Sequence, residues 1–139
     1  MTGNSTQVDL EKYAVFVDGV TSNPSKDYKS FLDSIEYLDG EGSNIQRLLT
    51  AAVGISAEGG EFMEIVKKMV FQGKPWNDDN REHLIIELGD VMWYVMQACK
   101  ALDVSLDEVI AGNVEKLKKR YPGGDFNVYH SENRAADDR

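Results

Sequence analysis

The sequence predicts an all-α protein, a bundle of about five helices. Three observations carry this expectation. Apolar residues recur at spacings of three and four through nearly every long stretch. Glycine, proline and helix-capping residues fill the breaks between those stretches. No two neighbouring stretches form a strand pair, and amphipathic helices without a sheet bury their apolar faces on one another.

The first helix carries Tyr13, Phe16, Val17 and Val20 at i, i+3, i+4 and i+7, which is one helical stripe. Asp18-Gly19 suits a hairpin turn after a short Val-rich strand as an alternative. The helix is preferred because no partner strand is apparent. Pro24-Ser25 supplies a break and a candidate N-cap. A second helix carries Tyr28, Phe31, Leu32, Ile35 and Leu38 and ends in the turn-rich Asp39-Gly40-Glu41-Gly42-Ser43. A long third helix starts near Ser43 or Asn44 and runs to Gln72, with Gly73 at its C-cap and Pro75 just beyond. Trp76 opens a short loop, and the fourth helix runs from about Asp79 to Leu102. Ser105 and Glu108 form the S-x-x-E capping box of a fifth helix, which ends near Tyr121 before Pro122-Gly123-Gly124. Residues 1–126 are expected to form a single helical domain. Residues 127–139 form a polar tail, either flexible or packed on a neighbour.

The 139 residues suit one core, and 42% of them are apolar. The net charge of −9 argues against a nucleic-acid polymer as partner, because such binders present a basic face. It leaves room for a small phosphorylated substrate if metal ions sit between the two. No apolar run reaches the ~18 residues that span a bilayer, so no membrane partner is expected. The polar N-terminus does not support secretion, and the cytoplasm is the expected compartment. A lone Cys99 fits a small buried hydrophobe in a reducing environment. Asn4-Ser5-Thr6 fits a glycosylation pattern by chance.

The fourth helix is unusually apolar. Leu84, Ile85, Ile86, Leu88, Val91, Met92, Trp93, Val95 and Met96 cover about 220° of its circumference. Such a helix is buried on most sides, and five short helices struggle to surround it. A second subunit is therefore expected, making a homodimer or homotetramer. The remaining arc holds Glu87 and Asp90, three residues apart and about one turn from each other. An ionised carboxylate left unpaired in apolar surroundings costs several kcal/mol, on the order given for buried charges. No Lys or Arg lies one turn away on this helix, so a metal is a natural partner. The third helix repeats the device with Glu58 and Glu61. About 25 residues separate the pairs, the reach needed to finish one helix and return antiparallel beside it. Mg²⁺ or Mn²⁺ prefers such oxygen ligands. Gly59 and Gly60 suggest close approach of a neighbouring helix or a ligand. A di-iron bundle would need Glu-x-x-His, and neither His83 nor His130 follows a Glu by three.

Gly54-Ile55-Ser56-Ala57-Glu58-Gly59-Gly60-Glu61-Phe62, followed by Glu87-Leu88-Gly89-Asp90-Val91-Met92-Trp93-Tyr94, resembles the MazG-like all-α nucleoside triphosphate pyrophosphohydrolases, whose signature is E-x-x-E and then E-x-x-D. Asn113-Val114-Glu115-Lys116-Leu117-Lys118-Lys119-Arg120-Tyr121-Pro122 is similar to that family's N-x-x-K-L-x-x-R-Y-P ending. Phe71-Gln72-Gly73-Lys74 and His130-Ser131-Glu132-Asn133-Arg134 are most like the short single-domain versions of phages, cyanophages especially. The resemblance implies a Mg²⁺-dependent oligomer, with Mn²⁺ as an alternative ion, that cleaves between the α and β phosphates. It also implies a site built from more than one subunit.

Metal held by Glu58, Glu61, Glu87 and Asp90 would activate a water, with Glu58 or Glu61 as the general base. Asn113, Lys116 and Arg120 lie within about 60° of one another on the fifth helix and suit phosphates or sugar. Lys68 and Lys74 are further phosphate contacts, and Trp76 either stacks on a base or closes the bundle end. No G-x-x-x-x-G-K-[ST] loop is present. Gly123-Gly124-Asp125-Phe126 fits a chain-reversing turn, and no Cys-His pair or Ser elbow suggests covalent catalysis. The phage resemblance implies a deoxynucleoside triphosphate as substrate, dGTP first and a pyrimidine such as dCTP next. The competing expectation is a helical regulator that binds nucleotide or metal without turnover.

Overall fold

The computed structural model describes residues 7–136. All regular structure among them is helical. It comprises α1 (Leu10–Gly19), α2 (Asn23–Lys26), α3 (Tyr28–Gly40), α4 (Ile45–Phe71), α5 (Asp78–Leu102), α6 (Leu106–Arg120) and α7 (Val128–Glu132). The five long helices are those expected, and two short ones are added. The glycosylation triplet at Asn4 lies outside the described residues.

The chain divides into two compact units, Met1–Ser43 and Asn44–Arg139. In the first, α1 runs unbroken through Asp18-Gly19, so the hairpin alternative is not formed. Asp9 caps it by accepting from the Lys12 amide at 3.1 Å. Pro24 and Ser25 fall inside the single turn of α2, where proline suits the first positions because its missing N–H is not needed there. Ser25 is therefore no cap. Asp27 caps α3 instead, accepting from the Ser30 amide at 2.9 Å and the Ser30 hydroxyl at 2.8 Å. A carboxylate at this position satisfies amides that have no partner within the helix.

In the second unit, α4 and α5 pack along one another. Each begins at an Asn: Asn44 accepts from the Arg47 amide at 3.3 Å, and Asn77 from the Asn80 amide at 2.9 Å. Gly73 follows the end of α4 at φ +70, the left-handed region that glycine enters without steric cost. The loop is pinned where Asn80 Nδ2 donates to the Pro75 carbonyl at 2.6 Å. α5 ends at Asp103, a non-glycine residue at φ 51. There the Asp103 and Val104 amides donate back to the Lys100 and Cys99 carbonyls. Ser105 caps α6 by accepting from the Glu108 amide at 3.1 Å, as the capping box predicts. The tail is not wholly irregular, since Asn127 caps the short α7.

The apolar core of the described residues is small. Ala51, Ile65 and Cys99 are buried, as is the polar Glu87. Cys99 is thus the small buried hydrophobe expected of it. Much of the apolar arc of α5 stays open within one chain. Ile85, Ile86, Leu88, Met92, Trp93 and Met96 are all exposed, from 40% at Met92 to 57% at Trp93. Among the described residues, no helix is long and apolar enough to cross a membrane.

Candidate metal centre

Two helices bring the acidic site together. α4 supplies Glu58, and α5 supplies Glu87 and Asp90. One carboxylate oxygen from each lies within 4.8 Å of the others. The i, i+3 spacing on α5 puts Glu87 and Asp90 on one face, and antiparallel packing brings Glu58 across to meet them. Glu87 is only 9% exposed, whereas Asp90 is exposed. The hydrogen bond with Glu87 is the main cause that raises the Glu58 carboxyl above its ordinary range. Burial and the negative charges of Asp90, Glu87 and Glu61 push the same way.

Glu61 is exposed and lies outside the close trio, although its charge reaches Glu58. His83, one turn before Glu87 on α5, places Nε2 3.4 Å from Glu87 Oε1. The Glu-x-x-His pattern does not reveal that neighbour, because His83 precedes its carboxylate. The i, i+4 spacing to Glu87 was the signal that could have found it. A metal-ligating carboxylate commonly has such an outer partner, which fixes its orientation.

The proposed phosphate contacts lie on three elements. Lys68 on α4 is held by Glu64, Nζ to Oε1 at 3.3 Å, and Lys67 reaches the other oxygen at 3.3 Å. These two lysines keep Glu64 below the ordinary carboxylate range, with Lys67 the larger cause. Lys74 and Trp76 sit in the α4–α5 loop, with Trp76 68% exposed. Asn113, Lys116 and Arg120 are on α6; Asn113 is exposed, and the other two are half-buried and engaged in interactions.

The close helix approach occurs at Gly54, not at Gly59-Gly60. A Cβ built on Gly54 would meet the Cδ1, Cε1 and Cγ atoms of the Tyr94 ring. Nothing lies within 4 Å of a Cβ at Gly59 or Gly60. Those two leave open space beside Glu58 and Glu61.

The donors suit a hard divalent cation. All three are carboxylate oxygens, the preferred ligands of Mg²⁺ and Mn²⁺, and their crowding disfavours full ionisation unless positive charge is supplied. The arrangement defines an all-helical protein with an acidic site fitted to such an ion. The MazG nucleotide pyrophosphohydrolase domain matches residues 46–124, and the chain belongs to that family. Among curated proteins it is similar to the "Gene 37 protein" of Mycobacterium phage L5. The two are 39% identical over 87 residues, which is 61% of this chain and 75% of that protein. No solved structure matches.

Proposed function

We propose that the protein is a Mg²⁺-dependent pyrophosphohydrolase that converts a deoxynucleoside triphosphate, dGTP before others, to the monophosphate and pyrophosphate. The carrying observation is the trio of carboxylate oxygens within 4.8 Å, set between two helices inside the family match. When bound, a divalent ion supplies positive charge for phosphate oxygens and acidifies water. Glu58, Glu87 and Asp90 hold it, and Glu61 is the fourth carboxylate of the set. Being exposed and outside the trio, Glu61 is best placed to take the proton from the attacking water. The water oxygen bonds to the α phosphorus, the bond to the bridging oxygen breaks, and pyrophosphate leaves. Asn113, Lys116 and Arg120 on α6 bind phosphates and sugar, and Lys74 adds a contact from its loop. Lys68 joins them by exchanging Glu64 for a phosphate. Exposed Trp76 stacks on the base.

The open apolar arc of α5 supports assembly as a homodimer or homotetramer, because a contiguous exposed patch of large side chains is costly in water. The net charge of −9 and the family support a reading in which the enzyme works on free nucleotides and not on nucleic-acid polymers, and the compartment proposed for it is the cytoplasm, the host's if the chain is phage-encoded. The test is pyrophosphate release from a panel of deoxy- and ribonucleoside triphosphates with Mg²⁺ or Mn²⁺. Release that is lost in Glu61→Gln and Asp90→Asn, with helical content unchanged, supports the assignment. Ion or nucleotide binding without release from any triphosphate would replace it with a regulatory binding protein.

A further inference from the structure

One close contact between α4 and α5 lies next to the carboxylates. Gly54 lies four residues before Glu58 on α4, and Tyr94 lies four after Asp90 on α5. The two helices run antiparallel, so this contact is one turn from the acidic trio on both of them. Gly54 is buried, and the Tyr94 ring occupies the volume where a Cβ would stand. The ring is itself braced by the edge of Trp93, with centroids 4.9 Å apart and planes at 86°. No other glycine of α4 or α5 has a neighbour this close: Gly59, Gly60 and Gly89 all face open space. The interhelix gap at the site is therefore fixed from one side, by an aromatic ring lying on bare backbone.

We propose that Gly54 and Tyr94 are a positioning pair that sets the α4–α5 spacing, and with it the size of cation the carboxylates accept. The inference rests on the metal-binding reading above. Glu58 is the one member of the trio carried by α4, so moving the helices apart withdraws it from Glu87 and Asp90. Mg²⁺ requires oxygens at about 2.0–2.1 Å in a near-ideal octahedron, whereas Ca²⁺ accepts about 2.3–2.6 Å and a looser shell. A methyl on Gly54 must open the contact by about 1 Å or more to reach ordinary carbon–carbon distances. That change penalises the smaller ion more. A residue that only stabilises the fold would weaken both ions alike.

The test is direct ion binding by the full chain. Mn²⁺ is followed by electron paramagnetic resonance, with Ca²⁺ and Mg²⁺ as competitors. Wild-type protein is expected to prefer Mn²⁺ and Mg²⁺ to Ca²⁺. Gly54→Ala is expected to weaken Mn²⁺ about 10-fold or more, in the range seen when support of metal ligands is lost, and Ca²⁺ clearly less. Tyr94→Phe keeps the ring and should leave the ratio unchanged. Gly54→Ala combined with Tyr94→Ala removes the ring that the methyl meets and should restore the ratio. If Gly54→Ala does not fold, Tyr94→Trp presses on the same contact from the α5 side and should shift the ratio in the same direction. Where the wild type binds Mn²⁺, equal weakening of both ions in Gly54→Ala, or an unshifted ratio in Gly54→Ala and Tyr94→Trp, overturns the spacer alone. No Mn²⁺ binding by the wild type overturns the metal reading and the spacer with it.

Discussion

Replacing Glu87 by glutamine should strengthen the metal-free fold and remove its response to divalent ions. Glu87 is 9% exposed, and its oxygen lies within 4.8 Å of those of Glu58 and Asp90. Two unit charges at that separation repel by about 3–4 kcal/mol at an effective dielectric of about 20, and by about 1 kcal/mol in bulk water. Glu58 and Asp90 are the two carboxylates that Glu87 faces, and the hydrogen bond with Glu87 is the main cause that raises the Glu58 carboxyl. Asp90 is exposed, which pulls the value towards the water limit of about 1 kcal/mol. For a chain of this size, that corresponds to a rise of roughly 3–6 °C in melting temperature. The assay is a far-ultraviolet circular-dichroism melt in chelator and in excess Mg²⁺. Both melts are run at the same pH and ionic strength. In the wild type, an ion that binds only the native state adds about 2.7 kcal/mol at a hundred times its dissociation constant. Glu87→Gln should melt higher than wild type in chelator and should not respond to Mg²⁺. A variant that melts lower in chelator and still gains from Mg²⁺ would refute both the crowding argument and the ligand assignment.

Three further outcomes follow from the same structure. Because the folded state holds the Glu58 proton more tightly than the ordinary carboxyl with its value of 4.5, its contribution to metal-free stability is full below that value and lost as pH rises through the raised one. Ion binding must expel that proton, so affinity should strengthen over the same window; calorimetric titration in buffers of different ionisation heat should register proton release, and none would contradict the shared Glu58–Glu87 proton. Asp103→Gly should stabilise the fold by about 0.5 kcal/mol, read as a higher urea midpoint at unchanged slope, because aspartate at φ 51 carries left-handed strain that glycine lacks. Trp93→Glu puts a charge in the exposed arc of α5 and should yield a smaller species in light scattering, whereas an unchanged mass would move the subunit interface elsewhere.

Helix existence and helix ends were legible in the sequence because they are local. The Ser105–Glu108 box, the Gly73 stop and the periodic stripes each act within a few residues, and each appears where the pattern placed it. The difference at Pro24-Ser25 is also local: the pattern offers a break and a candidate N-cap there, while Asp27, two residues after Ser25, holds the Ser30 amide. The two acidic pairs were equally visible, as was the apolar surface of α5 that isolates one of them. Four carboxylates at the right spacings do not specify which three meet. That depends on the register and distance of α4 against α5, and helix pairs settle both through side chains remote in sequence. Tyr94 lying on Gly54 is such a contact. Forty residues of sequence hide it, so the chain's glycines pointed to Gly59-Gly60 instead. The sequence by itself determined the helices, the acidic pairs and the family. Only the tertiary structure decided that Glu58, Glu87 and Asp90 converge, with Glu61 outside them, because convergence is a property of the packed gap between two helices and not of either helix alone.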